Sequence, residues 1–152
     1  MNTETKIPRW STVARYLMGA IFFVFGLNGF LQFLPMPPMP GPAGQFLGAL
    51  VGSGYLMTLT KGVEVVVGLS LLTNRFAPLA LVVAAPVTLN IVLFHAFLAP
   101  QGMIVPLVLL AAHLAAAWGF RSLYAPLLAA RPLSAAAEAS SPAQGRPAAA
   151  TA

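Results

Sequence analysis

The sequence predicts an all-α fold: a bundle of four transmembrane helices, both termini cytoplasmic, with a short interfacial or re-entrant helix in the first outer loop. Three observations lead there. Of 152 residues, 59 % are hydrophobic and 7 % charged, where a soluble domain carries about 45–50 % and about 25 %. Four apolar runs approach the length of about 20 residues that a helix needs to cross the hydrocarbon core. The basic residues fall on alternate connections between those runs.

The first run, Tyr16 to Leu34, contains no charge. A cleaved signal peptide competes for it. However, signal peptides have an apolar region of about 7–15 residues and a small-residue cleavage site. This run is longer and no A-x-A follows, so a retained helix over 16–34 is expected. The loop Pro35–Gly54 opens with PMPPMPGP, an extended, polyproline-like stretch. AGQFLGALVG follows and is too short to span, so it reads either as a short interfacial or re-entrant helix or as a plain tether.

The second run, 55–73, carries Lys61 and Glu64. Each costs about 2.5–3.5 kcal/mol at a helix centre, while each Leu or Val returns about 0.3–0.6 kcal/mol. Nine Leu and Val residues therefore return roughly 3–5 kcal/mol against about 5–7. This helix needs packing or charge pairing to complete its insertion. The third run, 77–98, holds Asn90 and His95, and a Pro86 that should kink it. The fourth, 103–120, holds His113. Tight connections at Asn74–Phe76 and Ala99–Gly102 make the last three helices antiparallel neighbours.

Orientation follows from the bases. Lys6, Arg9, Arg15, Arg75, Arg121, Arg131 and Arg146 all fall on one side, and the two other loops carry neither Lys nor Arg. That is the positive-inside pattern. It also explains the net charge of +5 without nucleic acid. The domain is expected over 1–130. The Ala- and Pro-rich tail, 131–152, buries too little to order itself.

The absence of cysteine removes thiol nucleophiles, disulfides and cysteine metal centres. No serine triad, phosphate loop or dinucleotide fingerprint is present. No zinc spacing appears, and His95 and His113 sit at depths too different for a shared haem, so no metal site is expected.

Polar residues inside the runs are the candidate site. At a rise of about 1.5 Å per residue, Asn28 and Asn90 lie about 20 Å from the cytoplasmic end. Glu64 and His113 lie about 14–15 Å, and Lys61 about 9 Å, below the outer ends of their helices. Gln32 shares a helical face with Asn28. Each helix thus brings a polar group to one slab, which predicts a buried site. In it Glu64, Lys61 and His113 would handle protons, and Asn28, Gln32 and Asn90 would bind a ligand. Blander readings compete: Lys61 and Glu64 as a self-neutralising pair, His113 as a hydrogen-bonded core residue, and the glycines as close-packing positions.

Several segments resemble the DoxX family of small bacterial membrane proteins. They are Arg15–Tyr16 with GAIFFVFGLNGF, PMPPMPGPAGQFLGALVGSGY, KGVEVVVGLSLLTNRFAPLAL and APVTLNIVLFHAFLAP, spread over Arg15 to Tyr124. The resemblance implies a four-helix bundle in the bacterial inner membrane, in a family with members tied to quinone-linked sulfur oxidation or to complexes managing oxidative stress. The leading expectation is a ligand-binding subunit of a redox-linked complex. It would have no intrinsic cofactor, a quinone as candidate ligand, and the bilayer, a redox subunit or a second copy as partners. If catalytic, it would be a quinone-linked oxidoreductase subunit. A non-enzymatic anchor or assembly factor, and a small oligomeric proton-coupled transporter, remain the alternatives.

Overall fold

The computed structural model describes residues 7–128. Lys6, Arg131, Arg146 and the tail at 131–152 lie outside the described residues. All regular structure among the described residues is helical: α1 (Arg9–Leu31), α2 (Gly41–Gly52), α3 (Leu56–Leu72), α4 (Ala77–Phe97), α5 (Ile104–Gly119) and the short α6 (Arg121–Tyr124), with 3-10 turns at Pro100–Gly102 and Ala125–Leu128. The chain divides into two units, the first ending at Arg121 and the second beginning at Ser122. In the second, the described part is the end of α6 and the 3-10 turn after it.

Helix α1 starts at Arg9, seven residues before the apolar run. Pro8 stands at its N-cap in an extended conformation, and nothing in Arg9–Arg15 breaks a helix, so the coil continues beyond its apolar part. It stops at Leu31, short of Leu34, because Gln32 turns left-handed (φ 50°) and Pro35 disfavours helix at Leu34. The loop then forms α2. Its 12 residues span about 18 Å, well short of the bilayer core. It meets α3 at 90°. Ala43 of α2 is buried with Phe94 and Ala99, and Met39, Phe46, Leu47 and Leu98 pack around them. That cluster ties α2 to the end of α4. Phe46 and Phe94 stack tilted, 5.7 Å between centroids.

The four longest helices close a ring in which α1 packs on α3 and α5, and α4 joins α3 to α5. The tightest seam is α1 against α3. They run antiparallel: Gly19 of α1 lies against Leu71 and Leu72, Gly26 against Glu64 and Val65, and Gly29 against Lys61. A Cβ at Gly68 would come within 2.5 Å of the Phe23 amide nitrogen, so the two backbones touch there. Missing side chains permit this approach, as in other membrane-type helix pairs. The ring's core holds Met18, Phe22, Val67, Leu71, Leu81, Leu109 and a set of alanines, Ala77, Ala80, Ala84, Ala112 and Ala116.

Helices α1 and α4 are long and apolar enough to cross a membrane. The total reaches four if α2 with α3, and α5 with the short helical segment after it, each count as one broken span. The outward surface of the ring fits that composition: Leu59, Val66, Leu79, Val82, Leu89, Val105, Leu107 and Leu114 are all exposed.

Candidate functional site

Among the described residues, two pairs of polar side chains meet inside this apolar ring. In the first, Lys61 and Glu64 are one helical turn apart on α3, and Lys61 Nζ donates to both carboxylate oxygens, at 3.0 Å (Oε1) and 2.8 Å (Oε2). Glu64 is 4 % exposed and sits at the midpoint of α3. The Lys61 side chain remains 23 % exposed. Its stem lies across Gly29, filling the space a side chain there would need. The ion pair is therefore held between α3 and a notch of α1 made by Gly26 and Gly29. Each charge has its counter-ion, which offsets part of the cost of leaving water.

The second centre lies across the ring, between α4 and α5. His113 is buried at mid-helix of α5, and its Nδ1 stands 2.9 Å from Thr88 Oγ1 of α4. That contact ties the imidazole of α5 to the middle of α4. Thr88 and His113 floor a cleft of about 150 Å³, walled by Ala85, Leu89, Val92, Leu110 and Leu114, which opens on the apolar outer surface. Chemically the cleft pairs an apolar wall with a hydroxyl and an imidazole.

The other predicted ligand residues do not join either centre. Asn28 is buried, but both ends of its amide serve the chain itself. Oδ1 accepts from the Leu34 N–H at 2.6 Å, and Nδ2 donates to the Leu34 carbonyl at 3.2 Å. It closes the exit of α1. Gln32 is exposed, at the left-handed residue that ends the helix. Asn90 is exposed on α4, and its side chain makes no hydrogen bond among the described residues. The six residues share a range of depth but not a common interior. Depth follows from counting residues, whereas the facing of each helix depends on its rotation. On α4, apolar residues all round leave that rotation unmarked.

Besides Thr88, two polar residues outside the predicted set are buried and tie helices together. Arg15 is 5 % exposed. Its Nη1 donates to the Leu71 carbonyl in the last turn of α3, and its guanidinium lies 4.2 Å over the Tyr16 ring. A cation at a helix C-terminus meets the negative end of the dipole. Ser11 Oγ donates to the Ala116 carbonyl of α5 at 3.2 Å. As sequence, Arg15 counts only as one more base flanking a helix. Thr88 carries no signal beyond lying two residues after Pro86. His95, near the end of α4, bonds its own helix through Nδ1 to the Ile91 carbonyl at 2.9 Å and meets Phe94 edge-on.

No family model, no curated protein and no solved structure matches the chain. The fold and the two centres define an all-helical protein with two to four helices able to cross a membrane, and with ion-paired and imidazole groups inside the apolar ring.

Proposed function

We propose that the chain is a four-pass membrane protein with both termini cytoplasmic, and that its cleft between α4 and α5 binds a small lipid-soluble molecule bearing a carbonyl, of which a quinone is the best fit. The observation that carries this reading is the Thr88–His113 pair at mid-helix depth, flooring a cleft that opens sideways onto the apolar surface. A ligand dissolved in the bilayer reaches such a cleft without crossing water. A flat apolar ring suits the Leu89, Val92, Leu110 and Leu114 walls, and its carbonyl end would meet the polar Thr88–His113 pair at the floor. A bound quinone would supply the redox chemistry, while this chain's residues would orient the head group and exclude water. That agrees with the DoxX-like segments and with a redox-linked role in a bacterial inner membrane. In this reading α2 lies in the plane of the outer interface, at right angles to the spanning α3.

The test is binding of a short-chain benzoquinone to the protein in lipid nanodiscs, read by quenching of tryptophan fluorescence. Saturable binding that His113→Phe and Thr88→Val each weaken at least tenfold supports the reading. No saturable binding, or affinity unchanged in both variants, rejects it.

A second reading, a non-enzymatic anchor or assembly factor, is favoured by a different observation. Among the described residues no buried side-chain nitrogen or oxygen lacks a hydrogen-bond partner. Polar groups that only glue helices together would look like this. Native mass spectrometry from the source membrane separates the two: a retained small molecule favours the first, a retained protein without one the second.

A further inference from the structure

The outer face of α4 presents polarity that lipid cannot satisfy. Pro86 lies inside the helix and has no N–H, so the Val82 carbonyl loses its partner one turn on. Val82, Pro86 and Asn90 succeed each other at intervals of four, on one stripe, and all three are exposed. The Asn90 amide, with two donors and an acceptor, makes no side-chain hydrogen bond among the described residues. It sits seven residues inside the end of α4, about 10 Å deep along the helix. Unpaired amides and carbonyls in hydrocarbon cost several kcal/mol each. The rest of the stripe has the spacing of a helix-packing seam: Leu79, Val83, Leu93 and Phe97 are exposed as well. Beside it runs a groove of about 460 Å³ lined by Leu59, Gly62, Val66 and Val83. A Cβ at Gly62 would meet nothing within 4 Å, which leaves the groove open to incoming side chains.

We propose that this face is a homodimer interface, in which Asn90 of one copy hydrogen-bonds Asn90 of a second copy across a two-fold axis normal to the membrane. Membrane insertion selects the partner. Copies inserted in the same orientation hold each residue at the same depth, so a two-fold contact along α4 brings Asn90 opposite Asn90. An amide is self-complementary, because each side chain both donates and accepts. One polar residue in an otherwise apolar seam also sets the register of the pair. The inference rests on the membrane reading above.

The chain contains no cysteine, so single replacements report contacts without background. Leu93→Cys lies on the seam, and Val108→Cys lies on α5 at matching depth and exposure. Both are to be oxidised in native membranes. Leu93→Cys should give a disulfide-linked dimer and Val108→Cys none. Adding Asn90→Leu to Leu93→Cys should weaken association about three- to thirtyfold, the range for an interhelical hydrogen bond, and Asn90→Gln should retain most of it. Equal cross-linking at the two positions, or a yield that Asn90→Leu leaves unchanged, overturns the proposal. Alkaline carbonate extraction run in parallel separates the failures. A chain that leaves the membrane pellet refutes the membrane reading itself, while one that stays but does not cross-link refutes only the dimer.

Discussion

At Lys61 and Glu64, removing one partner and removing both should have opposite consequences. Glu64→Leu leaves an ammonium against Gly29 with no counter-ion, and Lys61→Met leaves a buried carboxylate. Breaking a buried pair typically costs about 3–5 kcal/mol, whereas replacing both charges by apolar groups of similar volume is often neutral or better. Thermal unfolding in mild detergent should therefore show both single variants strongly destabilised and the Lys61→Met/Glu64→Leu double variant near wild type. If the double variant also loses a measured activity while keeping its melting point, the pair does chemistry as well as packing. Arg15 gives a sharper local case. Arg15→Met removes a charged donor from the last turn of α3, and hydrogen bonds to charged groups contribute about 1.5–3 kcal/mol. A melting point unchanged by Arg15→Met would mean that its bond to the Leu71 carbonyl contributes nothing. Residue chemistry was partly legible in the sequence. A spacing of three was enough to pair Lys61 with Glu64. It was not enough to locate Asn28, whose amide is consumed by the chain turning back at Leu34, a contact no periodicity encodes.

At the scale of the helix, two glycines on the same element should behave differently. On α3, Gly68 faces α1 and Gly62 faces the open groove. A Cβ at Gly68 collides with backbone at Phe23, which cannot rotate away, so Gly68→Ala should cost at least the 1–3 kcal/mol typical of overpacking. Gly62→Ala meets open space and gains helix propensity of about 1 kcal/mol. Melting points that move in opposite directions confirm this geometry; equal losses would mean that α3 is rotated from the position described. The elements themselves were legible because apolar run length maps directly onto bilayer thickness. Their ends were less so, since a helix continues past its apolar part wherever nothing stops it, as α1 does from Arg9. The segment Gly41–Gly52 lay open between helix and tether. Phe46 and Leu47 decide it by packing against Phe94 and Ala99, a partnership that depends on tertiary contact.

Across the whole molecule, the alternation of bases makes a topological prediction that cysteine-free sequence renders easy to read. A membrane-impermeant maleimide should label Ser53→Cys, after α2, in intact spheroplasts, and Asn74→Cys, between α3 and α4, only after lysis. The reverse pattern would invert the orientation, and equal labelling would contradict an odd number of crossings between the two sites. The antiparallel order around the ring was legible from the short connections. The closing contact of α1 with α5 was not, because it joins distant parts of the chain through Ser11, Ala116 and the bare Gly119. The close seam between α1 and α3 also bears on biosynthesis. Helix α3 on its own is a poor substrate for release into lipid, since Lys61 and Glu64 outweigh its leucines and valines. Its notch at Gly26 and Gly29 belongs to the span made just before it. In the four-pass reading proposed above, the two would therefore enter the bilayer best as a preformed hairpin, with α1 held beside the insertion machinery until α3 emerges. Bulky residues in that notch would then lower the yield of inserted protein before they affected the stability of any molecule that had already folded.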